Sequence, residues 1–105
     1  MAWVYLILAG LFEIGWPVGL KIAQEDKGRL LGISLALFFM TVSGFFLWLA
    51  QKQIPIGTSY AVWSGIGAAG TFLVGIIFYG DPSSLGRYLG ILLIVAGVAT
   101  LKLSH

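Results

Sequence analysis

The sequence predicts an all-α membrane protein with four transmembrane helices, and two observations carry this prediction. Apolar residues make up 59% of the chain, charged residues make up 10%, and the mean hydropathy is +1.00. A soluble domain has about 45–50% apolar and about 25% charged residues. The few charges also lie in groups that divide the chain into four long apolar segments.

Each apolar segment can cross a membrane as a helix, which takes about 20 residues for a hydrocarbon core of about 30 Å. Residues 30–51 and residues 54–80 contain no charge, and the first segment is apolar except for Glu13. The fourth segment is the shortest, and Arg87 and Lys102 extend it if their charged ends reach the two interfaces. The prediction is a single four-helix domain over residues 1–105, with helices at 2–21, 30–51, 58–79 and 84–103.

The composition also excludes several other classes of protein. The chain has no cysteine, so disulfides and thiolate metal sites are impossible, and we expect no metal and no cofactor. The net charge of +2 does not indicate nucleic-acid binding, because the basic residues cap helices and form no stripe. No nucleophile–base constellation is present, so we expect no enzymatic activity.

Positive charge gives only a weak preference for one orientation in the membrane. Short loops make successive helices antiparallel, so the first and third loops share a side. That side carries four basic residues, namely Lys21, Lys27, Arg29 and Arg87. The opposite side carries two, Lys52 and Lys102. Cytoplasmic loops normally carry a clear excess of Lys and Arg. So small a bias permits insertion in both directions and an antiparallel homodimer, and it also fits one half of a heterodimeric pair.

Glu13 is the only charged residue deep inside an apolar segment. A charge at the bilayer centre costs about 2.5–3.5 kcal/mol even on lenient insertion scales, so Glu13 must face protein or water. All six Lys and Arg residues lie at helix ends or in loops, so the carboxylate needs either a proton or an incoming cation. Competition between these two is the minimal requirement for proton-coupled cation antiport. The alternative is a protonated Glu13 that serves only as a helix–helix contact.

Helical spacing places possible partners beside this acid. Gly10, Trp16 and Pro17 share its face of the first helix, and Pro17 removes the hydrogen-bond donor of the Glu13 carbonyl. That loss favours a bend or a bound water at this point.

The second and third helices contribute a hydroxyl and two aromatic rings. Ser43 lies near the depth of Glu13, and Tyr60 and Trp63 share one face of the third helix. An indole face attracts cations, hydroxyls can hold a carboxylate, and a carboxylate can bind a planar guanidinium with two hydrogen bonds. Packing and interfacial aromatics are the alternative interpretation.

Glycines suggest where the helices bend or approach closely. Gly65 and Gly67, together with Gly70 and Gly75, weaken the third helix and allow either close approach or a bend. Gly90 and Gly97 lie on a small-residue stripe of the fourth helix that favours close helix packing, and we assign it to dimerisation.

Three sequence motifs resemble the small multidrug resistance family over essentially the whole chain. They are GLFEIGW at residues 10–16, PIGTSYAVWSGIG at residues 55–67 and GILLIVAGV at residues 90–98. Trp16 and the Pro-Ile-Gly-Thr stretch resemble the guanidinium-exporter branch of that family.

The resemblance implies an antiparallel, dual-topology homodimer in the bacterial inner membrane. Two copies of Glu13 would line one site that opens alternately to each side, and two protons would enter for each guanidinium-like cation expelled. Ser43 and Trp16 would orient the carboxylate, Tyr60 would gate the site, and Trp63 would pack beneath them. A guanidinyl cation, protons and lipid are the partners implied.

Several residues differ from the family pattern. Pro17 stands where a small residue such as Ala is expected, and Ser59 and Ser64 replace the commoner Ala and Thr. Free guanidinium and related guanidino compounds are therefore both open as cargo. The other hypotheses are a promiscuous quaternary-ammonium exporter of the same fold and a subunit that is active only with a second protein.

Overall fold

The computed structural model describes residues 1–104, and all regular secondary structure in this part of the chain is helical. Its helices are α1 (Ala2–Glu13), α2 (Gly15–Ala23), α3 (Arg29–Gln51), α4 (Ile56–Tyr79) and α5 (Leu85–Ser104), with a 3-10 turn at Asp26–Gly28. The segments Ala2–Ala23, Asp26–Gln51, Ile56–Tyr79 and Leu85–Ser104 are each long and apolar enough to cross a membrane. The prediction of four helices of spanning length is confirmed.

The first span is interrupted in its middle, where α1 ends and α2 begins. Ile14 separates the two helices, and its backbone N–H donates to the carbonyl of Leu11 at 3.3 Å, one residue tighter than an α-helical bond. Pro17 has no N–H to offer to the Glu13 carbonyl, so the regular ladder cannot continue here. The interruption therefore falls beside the one acid of the span.

Helix starts differ slightly from the predicted ones for local reasons. α4 begins at Ile56, two residues before the predicted start, because Pro55 adopts the extended conformation that precedes a helix (φ −53°, ψ 145°). The Ser59 hydroxyl then donates to the Ile54 carbonyl at 3.2 Å and ties the loop to the helix. α5 follows Ser84, whose hydroxyl accepts the Arg87 N–H at 3.3 Å as an N-cap.

The helices form a flat layer, with Cα extents of 45 × 34 × 17 Å. α3 packs along both α1 and α2, α4 packs on α1, and α5 packs on α4. Every other span contains buried residues, but α5 contains none. One long face of α5 therefore has no protein neighbour within residues 1–104.

A small apolar core closes one end of the layer. Leu6 of α1, Ala50 and Ile54 at the end of α3, and Val62 of α4 are almost fully buried together. At the other end the backbones themselves touch. A Cβ at Gly19 would lie 2.7 Å from the backbone nitrogen of Ala36, and one at Gly32 would lie 2.7 Å from the Cα of Ala23.

Basic residues and aromatic rings mark the two membrane interfaces. The Lys52 ammonium lies 4.3 Å from the Trp48 ring centroid, and the Lys102 ammonium lies 5.7 Å from the ring of Trp3. On the opposite side the Lys21 ammonium lies 5.7 Å from the ring of Tyr79. Such pairs keep the charge in water and the ring at the headgroup level. Trp3 and Lys21 belong to opposite interfaces, and Glu13 lies between them in the first span. Glu13 therefore lies near the middle of the membrane.

Replacing Gly32 with Ala tests the close contact of α2 and α3. The new methyl group has to push two backbones apart, and such overpacking costs about 1–3 kcal/mol. The free energy of unfolding in SDS, followed by tryptophan fluorescence, should fall by about that amount. Gly44→Ala is the matched control on α3, because a Cβ there meets nothing within 4 Å. Equal stability of the two variants would contradict the close contact.

Candidate functional site

Glu13 is the last residue of α1 and lies half-buried at the interruption of the first span. The indole Nε1 of Trp16 donates a hydrogen bond to its Oε1 atom. Because the break lies between them, Trp16 reaches back across the break to the carboxylate. Burial and this indole bond hold the acid in one place.

Glycine backbones of α1 and α4 make room for the acid. A Cβ at Gly67 would lie 2.6 Å from the Cγ of Glu13, so the Glu13 side chain rests directly on the α4 backbone. A Cβ at Gly10 would lie 2.7 Å from the Cβ of Ile66, which brings α1 and α4 together one turn earlier. Gly70 receives Ile14 in the same way. Gly67 and Gly70 are therefore points at which the first span contacts α4, which is one continuous helix from Ile56 to Tyr79.

An open groove of about 270 Å³ runs beside the acid, between the first span and α4. Its lining includes Glu13, Trp16, Pro17, Ser64, Gly67 and Thr71. Ser64 and Thr71 were absent from the predicted site. They lie three residues before and four residues after Gly67, so helical periodicity from Gly67 is the signal that would have found them.

Ser43 and Trp63 form a second polar group behind the acid. The Ser43 hydroxyl donates to the Ala9 carbonyl at 2.7 Å and accepts a hydrogen bond from Trp63 Nε1 at 2.8 Å. Ala9 is the residue whose carbonyl accepts the Glu13 N–H in a regular helix. In this chain Ser43 therefore acts on the helical turn that carries Glu13, and its own hydroxyl is engaged elsewhere than at the carboxylate.

Tyr60 completes this second group at the surface. Its ring lies 5.5 Å from the Trp63 ring, centroid to centroid, and 53% of the residue is exposed. The predicted residues are therefore arranged in two clusters: one around Glu13, Trp16 and Gly67, and another of Ser43, Trp63 and Tyr60.

The remaining predicted residues have separate surroundings. Gly65 faces Val98 of α5, where any Cβ would collide with that side chain. Pro17 lies in the groove wall next to the interruption of the first span. A Cβ at either Gly90 or Gly97 would meet nothing within 4 Å, because both face away from the other helices.

Within residues 1–104, no cation of the protein neutralises Glu13. The one ion pair there joins Arg29 and Asp26 at 3.4 Å, at an exposed helix end. No group of three or more potential metal ligands occurs in that part of the chain. An ionised carboxylate has about four acceptor positions, and Trp16 occupies one. The free positions border an open groove, so the site can accept a proton or a small cation with several donors.

Four apolar helices of spanning length and a groove that contains one half-buried acid are the features of a multi-pass membrane protein with a polar site inside its first span. Residues 1–94 match the Small Multidrug Resistance protein family. The chain is 46% identical over 104 residues to the guanidinium exporter of Yersinia pseudotuberculosis, covering 99% of each sequence. It is 43% identical over 104 residues to the guanidinium exporters of Salmonella typhimurium and Citrobacter freundii, covering 99% of this chain and 98% of theirs. The chain belongs to the small multidrug resistance family, and it is a multi-pass protein of the bacterial inner membrane.

Replacing Gly67 with Ala tests the contact between Glu13 and α4. The added methyl group would displace the acid from the groove wall, and such overpacking costs about 1–3 kcal/mol. The free energy of unfolding in SDS should fall by about that amount. The control is Gly57→Ala in the first turn of the same helix, where a Cβ meets nothing within 4 Å. Wild-type stability in the Gly67 variant would contradict this geometry.

Proposed function

We propose that the protein is a secondary antiporter that exports guanidinium or related guanidinyl cations in exchange for protons. The observation that supports this most is the half-buried Glu13 carboxylate, which borders an open groove and has no cation of the protein beside it. A proton and a cargo cation would compete for this one group. The family membership and the relatives named guanidinium exporters support the same choice of cargo.

The geometry around Glu13 suits a planar cation with several N–H donors. Guanidinium forms two parallel hydrogen bonds to a carboxylate, and it stacks on aromatic faces. Trp16 occupies one oxygen of Glu13 and leaves the remaining acceptor positions toward the groove. Ser64 and Thr71 add hydroxyl acceptors along the same wall. A quaternary ammonium has no N–H donors and would leave these acceptors unpaired.

We propose that the working unit is an antiparallel homodimer. Two features support a second copy: α5 buries none of its residues, and Gly90 and Gly97 leave its surface open for close helix packing. The groove beside Glu13 is also open on one side, where a second chain could close it. The weak bias of Lys and Arg between the two sides is compatible with opposite insertion of the two copies.

The dimer also explains how export could be driven. Each chain supplies one Glu13, so two copies can carry two protons inward for each monovalent cation leaving. One net positive charge then moves inward per cycle, which contributes about 2.3 kcal/mol per 100 mV of membrane potential. One-for-one exchange would be electroneutral and would lose this contribution.

Glu13→Gln should abolish saturable guanidinium current in proteoliposomes on a solid-supported membrane. The substitution preserves the shape of the side chain and an acceptor for the Trp16 indole, but removes both the charge and the exchangeable proton. Glu25→Gln, in the exposed first loop, is the control and should keep wild-type currents. Guanidinium currents of normal size in the Glu13 variant would refute the proposed mechanism.

A cargo series on wild-type proteoliposomes should rank guanidinium and guanylurea well above tetrapropylammonium. The expected order follows from the N–H donors, which tetrapropylammonium lacks. Current from tetrapropylammonium alone would assign the protein to quaternary-ammonium export instead. Silence with all three cations would indicate that a second protein is needed.

A further inference from the structure

A second cavity, of about 160 Å³, lies at the membrane interface between α2 and the end of α4. Its lining includes Pro17, Lys21, Thr71, Gly75, Tyr79 and Asp81. Pro17 and Thr71 belong to the walls of this cavity and of the Glu13 groove alike. The two cavities are therefore neighbours that share two wall residues, and the second one lies on the interface side of Glu13.

The backbone holds Asp81 over this cavity. Gly80 adopts a left-handed conformation (φ +64°) that reverses the chain at the end of α4. The Asp81 N–H then donates to the Gly75 carbonyl at 3.0 Å. The Asp81 carboxylate lies against the bare backbone of Gly75, so closely that any side chain at Gly75 would collide with it. The position of this carboxylate thus depends on two glycines and one backbone hydrogen bond.

The cavity also contains an aromatic face and a competing cation. Lys21 places its ammonium 5.7 Å from the ring centroid of Tyr79. No Lys or Arg within residues 1–104 lies within ion-pair distance of Asp81, since the one pair there is Arg29 with Asp26. A carboxylate and an aromatic face thus lie in one cavity, and only the face has a cation over it.

We propose that this interfacial cavity is a second binding site for guanidinyl cations, on the path to and from Glu13. A guanidinium can donate two hydrogen bonds to the Asp81 carboxylate and stack on the Tyr79 ring. It displaces the Lys21 ammonium from that ring, so Lys21 competes with the bound cation for the aromatic face. Asp81 selects cations with several N–H donors. The choice of guanidinium as cargo rests on the function proposed above.

The first test measures binding without transport. The Glu13→Gln variant, labelled with ¹⁵N-glycine in lipid bicelles, is titrated with guanidinium chloride and, separately, with sodium chloride at equal ionic strength. The amides of Gly75 and Gly80 should shift saturably with guanidinium only. The double variant Glu13→Gln/Asp81→Asn should lose these shifts. The double variant Glu13→Gln/Asp26→Asn should keep them, because Asp26 lies in the other loop on the same side of the membrane.

The second test measures transport by otherwise wild-type protein. Asp81→Asn should raise the KM for guanidinium about two- to five-fold with little change in maximal current, as expected for an exposed charge pair. Lys21→Gln should lower the KM, because it removes the competing cation, and Asp26→Asn should match the wild type.

The outcomes separate this proposal from the proposed function. Shifts that are absent, that sodium chloride reproduces, or that persist without the Asp81 charge would overturn the second site. An unchanged KM in Asp81→Asn would do the same. Saturable guanidinium shifts at Gly75 and Gly80, together with no guanidinium current from the wild-type protein, would refute the transport function and leave the binding site standing.

Discussion

A carboxylate in an apolar slab is the constraint on which the rest of this structure depends. Glu13 lies near the middle of a membrane-spanning segment, where an unpaired charge is costly. The chain offers it the Trp16 indole and a position on the Gly67 backbone, but no cation within residues 1–104. The acid is therefore held in place without being neutralised, which leaves it available to a proton or to a cation from outside.

Backbone contacts replace bulky side-chain packing around this acid. Gly10 and Gly67 bring α1 and α4 together on either side of Glu13, and Gly19 and Gly32 do the same for α2 and α3. In a membrane there is little hydrophobic gain from helix association, so close approach and dispersion contribute most of the packing energy. The interruption at Ile14 separates two stretches of helix that are fixed at different neighbours.

Polar groups lie along one wall of α4. Ser64, Gly67 and Thr71 follow the groove from the depth of Glu13, and Tyr79 and Asp81 lie where that wall reaches the interface. The opposite side of α4 packs on α5 through Gly65, and α5 itself buries nothing. The single chain thus has one face with charged and polar groups. Its other face is apolar and has to be covered by lipid or by a second copy of the chain.

The sequence by itself determined the four spans and the isolation of Glu13, and helical spacing placed Trp16 on the same face as the acid. Uncharged length and helical spacing are local properties, so they can be read without knowing which helices touch. Only the tertiary structure decided that Ser43 binds the Ala9 carbonyl and Trp63, and that Gly67 faces Glu13 while Gly65 faces α5. It also decided that Thr71 and Asp81 line the same cavity. These facts depend on the rotation of each helix about its axis. In a uniformly apolar span no hydrophobic periodicity fixes that rotation, so it is set by contacts between residues far apart in the chain.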